Sequence, residues 1–288
     1  MSASGANADT PDRIRSTEQM QRQASTQTWE SGGLLRRYRG RGLRPPEREI
    51  FDRHADILGG RVLELGVGGG RLTGHLIALG GSVHGMDIAP RMVAYCRKNY
   101  PAASFSQGDL HDASSWGSGT WDAIVAGWAL IDVLSDDERA TFFDAAHRLL
   151  NPGGLLIFSS HNLASATLLK SPFRSISVNT PLSFASQLLR LPRSYRNHRR
   201  LTRWQRIEPD YAILNGSAHD FSLLHYYISR DGQERQLERH GFGLLESIDA
   251  HGHEIGLGDN ALGSHELHYA ALRQDHPPRA DERAAQPG

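Results

Sequence analysis

The chain is poor in cysteine, in lysine and in long apolar runs. Of its 288 residues one is a cysteine, Cys96, so neither a disulfide framework nor a cysteine-based metal site can form within one chain. Only two lysines occur, Lys98 and Lys170, and arginine carries nearly all the positive charge. Basic and acidic residues number 32 each and the formal net charge is zero, so the molecule as a whole makes no electrostatic case for nucleic acid or a membrane surface. No stretch approaches the roughly 18 consecutive apolar residues of a membrane span. The polar N-terminal stretch "MSASGANADTPDRIRSTEQMQRQ" has no apolar segment that would serve as a signal peptide. A cytoplasmic protein without a membrane span is the expectation. One region lacks acids entirely: from Ala145 to Ile207 there is no Asp or Glu.

What is present is a rhythm. Residues 1–27 read as a disordered tail and 273–288 as a second tail. "PPEREIFDRHADIL" (45–58) reads as a helix opened by proline, with Ile50, His54, Ile57 and Leu58 on one face. Apolar strand-like runs at 61–66, 82–87, 103–109, 121–128 and 155–160 alternate with helical patterns at 70–80, 89–100 and 135–150. The last of these helices has a well-made start, with Ser135 as N-cap, Glu138 three residues on and acids in the first turn. This order predicts a parallel sheet wound on both faces by right-handed crossovers. After residue 162 the rhythm breaks, and it returns with a helix at 229–241 and strands at 242–250 and 265–272.

The first strand runs into "VLELGVGGGRLT" (62–73), with four glycines in five positions. Such a turn brings backbone N–H groups close to a ligand at a helix N-terminus. A nicotinamide-type G-x-G-x-x-G would need a glycine where Arg71 stands, and an arginine there conflicts with close strand–helix packing. The pattern is instead E-x-G-x-G-x-G: Glu64, Gly66, Gly68 and Gly70. With "GMDIAPRM" (85–92), "GDLHD" (108–112) and "LLNPGGLLIF" (149–158) following in order, the chain resembles the class I S-adenosylmethionine-dependent methyltransferases from about residue 34 to residue 272.

The resemblance implies a doubly wound, mostly parallel, seven-stranded Rossmann-like α/β sheet over residues 28–272, the last strand antiparallel, with a substrate-covering insertion at 162–225. It implies S-adenosyl-L-methionine as cofactor. Glu64, Gly66, Gly68 and Gly70 would run along its methionine portion. Asp87 would accept the ribose hydroxyls, with Ile88 and Met92 beside it. Asp109 and the N–H of Leu110 would meet the adenine, and Gly127 and Trp128 would flank the methionine end. Cys96, one turn past Met92, reads as packing.

The insertion raises the question of the acceptor. Residues 171–206 carry eight arginines, at 174, 190, 193, 196, 199, 200, 203 and 206, interleaved with Phe173, Phe184, Tyr195 and Trp204. Long loops of this kind are usually functional. The arginines suit a solvated helix face, an acidic small molecule or peptide, or RNA; "LSFASQLLRL" (182–191) also suits an amphipathic helix against a partner subunit or a membrane surface. The expected acceptor is the oxygen or nitrogen of a small molecule or peptide, in specialised metabolism, with RNA as the alternative. An NAD(P)-dependent oxidoreductase and a non-catalytic cofactor-binding protein are the remaining readings, and the oligomeric state stays open, a homodimer included. Two histidines fall where such a fold receives the acceptor, His161 and His225, and either is suited in pKa to act as a general base. Asn162 and Tyr226 stand beside them as orienting groups. The histidines of "HGHE" (251–254) and "HELH" (265–268) lack the spacing of a helical zinc motif, and no metal is expected.

Overall fold

The computed structural model describes residues 42–165, 172, 181–216 and 218–275, without the side chains of 181–186, 218 and 219. The expected tails at 1–27 and beyond Asp275, the start of the domain at 28, and Phe173 and Arg174 lie outside the described residues.

Five parallel strands form the centre: β1 (Arg61–Leu65), β2 (Ser82–Asp87), β3 (Ser104–Gln107), β4 (Trp121–Ala126) and β5 (Leu150–Asn162). They lie in the order β3-β2-β1-β4-β5. Helices α1 (Pro45–Arg53), α2 (Ala55–Leu58), α3 (Thr73–Ala78), α4 (Pro90–Asn99) and α5 (Asp136–Leu149) precede and connect them. Strands β9 (Phe242–Ile248) and β10 (Glu266–Arg273) complete the far edge; β10 runs antiparallel to both β5 and β9. These seven strands form the expected doubly wound core, with the last strand antiparallel.

Alternation explains why both faces are covered. Leu63, Leu65, Ile124, Ala126, Leu156 and Phe158 enter one apolar cluster. Their neighbours Val62, Ala123, Val125, Leu155 and Ile157 enter the other. Strands buried on both sides need helices on both sides. Phe142 and Phe143 of α5 and Phe242 of β9 fill the first cluster, and Ile50 and Phe51 of α1 fill the second. The Ser135 capping box forms as expected, with its hydroxyl accepting from the Glu138 N–H and the Glu138 carboxylate accepting from the Ser135 N–H. The helix expected at 45–58 is instead interrupted at His54, whose backbone leaves helical geometry and whose ring reaches Glu246 at 2.8 Å.

Among the described residues the sheet has ten strands, not seven, because three more, from the insertion and its C-terminal end, join it. Helix α6 (Pro181–Leu201) leads to β6 (Arg206–Ile207), β7 (Tyr211–Leu214) and β8 (His225–Ile228), and α7 (Arg230–Arg239) follows. Strands β6, β7 and β8 pair antiparallel, and β8 runs parallel to the end of β5, with His161 opposite Tyr227 and Asn162 opposite Ile228. A strand has two edges, and β10 occupies one edge of β5 from Leu155 to His161. So β8 takes the other edge, the one β4 leaves after pairing Ala126 with Phe158. The insertion expected only to cover the substrate thereby builds a wall beside the carboxyl end of β5.

Candidate active site

A cavity of about 300 Å³ opens at the carboxyl ends of the parallel strands. It is lined at one end by the turns after β1, β2, β3 and β4 and at the other by residues of β5, β8 and β10. In open α/β sheets this is the place where ligands bind.

The glycine turn is a local necessity. Gly66 and Gly68 have φ of 67° and 52°, the left-handed region that a side chain disfavours. A Cβ on Gly66 would stand 2.7 Å from Leu130. Gly68 donates its N–H to the Asp87 carboxylate at 2.8 Å, and the other Asp87 oxygen accepts from the N–H of Ala89 at 2.8 Å. Asp87, expected to accept the ribose hydroxyls, thus also braces the glycine turn. Each carboxylate oxygen retains a further lone pair for a ligand. Burial pushes the Asp87 pKa up, opposed by those two N–H bonds.

Glu64 lies at the floor of the cavity and is buried. The Thr73 hydroxyl donates to it at 2.5 Å. Burial outweighs that bond and the nearby Arg71 charge, and its pKa is pushed up to about 7. Ile88, Met92, Leu110, Gly127 and Trp128 all line the cavity, as does Asp109. One Asp109 oxygen accepts from the His111 N–H at 3.0 Å and lies 2.7 Å from His111 Nδ1. Gly70 does not line the cavity. Its φ is 74°, and a Cβ there would lie 2.1 Å from the Tyr100 ring. Its smallness serves the packing of the turn against the end of α4.

At the end of β4, Trp128 and Ala129 both adopt left-handed backbone, with φ of 58° and 50°. Such geometry costs about 1–2 kcal/mol per non-glycine residue and persists only where surroundings hold it. The Ala129 N–H donates to Ser159 Oγ at 2.7 Å, and the Arg71 guanidinium sits 5.0 Å from the centre of the Trp128 ring. Arg71 is itself fixed by a buried bidentate pair with Glu47 of α1. Arginine at position 71, awkward for a dinucleotide turn, here clamps α1 to the strained corner.

The other end of the cavity contains His161, His225, His265 and Glu266. His161 and Glu266 are cross-strand partners on β5 and β10. His161 Nδ1 lies 2.5 Å from Oδ2 of Asp132, which also accepts from the His161 N–H at 2.7 Å. Asp132 is fully buried in a short turn after β4, and its second oxygen accepts from Ser160 Oγ at 2.5 Å and from Arg139 at 2.9 Å. With Asp132 ionised, Nδ1 carries the proton and Nε2 is the basic nitrogen. Burial alone would lower the His161 pKa. The hydrogen bond and charge of Asp132 outweigh it, and the net direction is upward. The His225 ring lies 5.3 Å from that of His161, centre to centre.

Asn162 and Tyr226, expected as orienting groups, bond elsewhere. The Asn162 amide donates to the carbonyls of Asn260, Ala261 and Ser264. The Tyr226 hydroxyl donates to Asp136 at 2.7 Å. The orienting group of His161 is Asp132, which sequence reasoning passed over together with Arg139 and Glu47; His265 was weighed only as a metal ligand. A single acid inside the apolar run "WALIDVL" (128–134) was the available signal for Asp132, since a carboxylate among buried neighbours is retained only with partners.

Comparisons with known proteins agree with this geometry. Residues 62–154 match a family model described as a methyltransferase domain. An uncharacterized methyltransferase of Synechocystis sp. is 32% identical over 97 residues, covering 34% of this chain and 45% of the relative. The ubiquinone biosynthesis O-methyltransferase of Xanthomonas oryzae pv. oryzae is 30% identical over 128 residues, covering 43% and 52%. The chain thus spans about half the length of these curated relatives. Among solved structures, the 1,6-didemethyltoxoflavin-N1-methyltransferase of Burkholderia thailandensis, bound to 1,6-didemethyltoxoflavin and S-adenosylhomocysteine, aligns with a TM-score of 0.54 at 16% identity, covering 94% of both chains. The glycopeptide N-methyltransferase MtfA, complexed with S-adenosylmethionine, aligns at 0.50 and 17% identity, covering 82% and 96%. Residues 62–154 thus match a methyltransferase domain, and the fold is the one seen in these methyltransferase structures.

Proposed function

We propose that the protein transfers a methyl group from S-adenosyl-L-methionine to an oxygen or nitrogen of a small-molecule or peptide acceptor, with His161 as general base. The observation that carries the reading is the pairing of buried Asp132 with half-buried His161, which lines the same cavity as the glycine turn. The residues present fit the cofactor. Glu64 offers a buried carboxylate to a cationic group, Asp87 lone pairs to a diol, and the turn around Asp109 and Leu110 a polar edge to a purine. When bound, the cofactor supplies a methyl group on a cationic sulfur that departs as a neutral thioether. The chain's part is to hold the acceptor in line with that methyl group and to take the proton the acceptor loses. Asp132 fixes the tautomer, so that Nε2 is the proton-accepting nitrogen. The names of the neighbours support a small-molecule or peptide acceptor, specialised metabolism included.

Calorimetry with S-adenosylhomocysteine and S-adenosylmethionine tests the cofactor half. Asp87→Ala is expected to weaken binding roughly 10- to 100-fold, the worth of hydrogen bonds to a charged group. Glu64 adds a pH signature. Its pKa in the folded protein is raised to about 7 from 4.5, so its contribution to the stability of the empty protein is fully present below 4.5 and is lost as pH rises through about 7. A cationic ligand favours the ionised form. Affinity is therefore expected to rise with pH up to about 7, with proton release on binding near and below that pH, and Glu64→Gln is expected to abolish both. Tight NAD(P) binding without S-adenosylmethionine binding would defeat the reading.

A further inference from the structure

We infer that the outward face of α6 docks on an anionic lipid surface. The inference does not depend on the proposed reaction.

The inward face of this helix is settled by contacts. Gln187, Leu191, Ser194, His198 and Leu201 recur at helical spacing and are buried or half-buried. His198 Nδ1 lies 2.8 Å from Asn215 Oδ1, and the Asn197 amide donates to the carbonyl of Asp220 at 2.9 Å. The opposite face therefore points to solvent, and it carries Arg193, Arg196, Arg199 and Arg200, with Arg190 exposed at its margin. Among the described residues none of these five arginines is paired with an acid; the pair in this segment is Arg206 with Glu208. The acid-free stretch from Ala145 to Ile207 means that the helix itself carries no counter-charge.

Interleaved with the arginines on the same face are apolar side chains. Leu189 is 85% exposed, Leu188 44% and Tyr195 47%. A second copy of this chain would set arginine against arginine. A nucleic acid would neutralise the arginines but leave the leucines without a partner. An anionic bilayer satisfies both, with apolar tips entering the headgroup boundary and guanidinium groups meeting lipid phosphates. Among the described residues no helix is long and apolar enough to cross a membrane, so α6 would lie along the surface.

The test is sedimentation of the full chain with phosphatidylcholine vesicles, with and without phosphatidylserine. Binding is expected only to the anionic vesicles and is expected to fall as salt rises. R193Q/R196Q/R200Q should lower partitioning about 100-fold, at roughly fivefold per arginine near such a surface. L188S/L189S should lower it at least tenfold, as about two lost apolar burials require. The salt titration on the wild-type chain reads the electrostatic part without any substitution. No binding to anionic vesicles at low salt overturns the proposal, as does binding equal for neutral and anionic vesicles. Wild-type partitioning by L188S/L189S overturns it too, as does tighter binding of polyuridylic acid that ignores the leucines; the latter would identify a nucleic-acid surface instead.

Discussion

His161→Ala is expected to lower methyl transfer about 100-fold or more, the lower range of a general-base contribution, and to leave S-adenosylhomocysteine affinity within about twofold, since a residue acting only in the transition state is silent in ground-state binding. The geometry gives the reason. His161 is bonded to Asp132 at 2.5 Å, and it lines the cavity from β5, which β1 and β4 separate from β2 and β3 in the sheet. The pH profile distinguishes a base from a mere wall. Only neutral imidazole accepts a proton, and the His161 pKa is raised above 6.5. Activity in the wild type is therefore expected to climb as pH rises through that raised value. By the same sign, the contribution of protonated His161 to stability is fully present below 6.5 and is lost as pH rises through the folded value. Asp132→Asn removes the anion that raises the pKa, so the climb should move to lower pH while the plateau falls. His161→Ala should lose the dependence and recover part of its rate at high pH, where a hydroxyl acceptor ionises unaided. A His161→Ala protein that folds and turns over at the wild-type rate would show that positioning alone accounts for catalysis.

The second large effect is on stability. Arg139→Met is expected to cost about 3–5 kcal/mol, the usual consequence of stranding one partner of a buried ion pair. Arg139 and Asp132 are both fully buried. Arg139 also donates to Gln233 at 2.7 Å and to Gln236 at 3.3 Å on α7, and its guanidinium lies 4.3 Å from the centre of the Tyr226 ring on β8. One side chain therefore joins α5, α7, β8 and the turn that holds Asp132. Denaturant unfolding measures the loss. Combining Arg139→Met with Asp132→Asn removes both charges, and the double variant is expected to regain part of the stability. A loss below about 1 kcal/mol for Arg139→Met would mean that water reaches Asp132 when the arginine is gone.

These two residues also mark where sequence reading stopped. The sheet centre was legible because its information is local. Apolar runs of β1 to β5 sit at regular spacing, the Ser135 capping box announces α5, and the glycines after β1 point to a turn that needs left-handed backbone. The placement of Asp87, Asp109 and Trp128 around one cavity was implied by the resemblance of the ordered motifs to the class I methyltransferases, not by periodicity alone. The Asp132–Arg139–His161 assembly is different. Its members come from a turn, a helix and a strand end, and their contacts exist only once β5 lies beside β4. Arg139 had a visible sign: it lies three and four residues before Phe142 and Phe143, on the buried face of α5. A charged residue at an apolar position of that face needs a buried partner, and that partner, Asp132, is not visible from the helix alone. Strands β6 to β8 were missed for another reason. Tyr211–Leu214 and His225–Ile228 are four residues each, too short for alternation to declare them, and they become strands only by pairing with each other and with the far end of β5.

The most direct test of the account is transfer of labelled methyl from S-adenosylmethionine into a fractionated cell extract, run with the wild type, Asp87→Ala and His161→Ala in parallel. The account predicts label in a discrete acceptor fraction of small molecules or peptides with the wild type, loss with Asp87→Ala that excess cofactor restores, and a drop of about 100-fold with His161→Ala that excess cofactor does not restore. A wild-type protein that binds S-adenosylmethionine yet labels no acceptor in any fraction would contradict it and leave a cofactor-binding protein without methyl transfer.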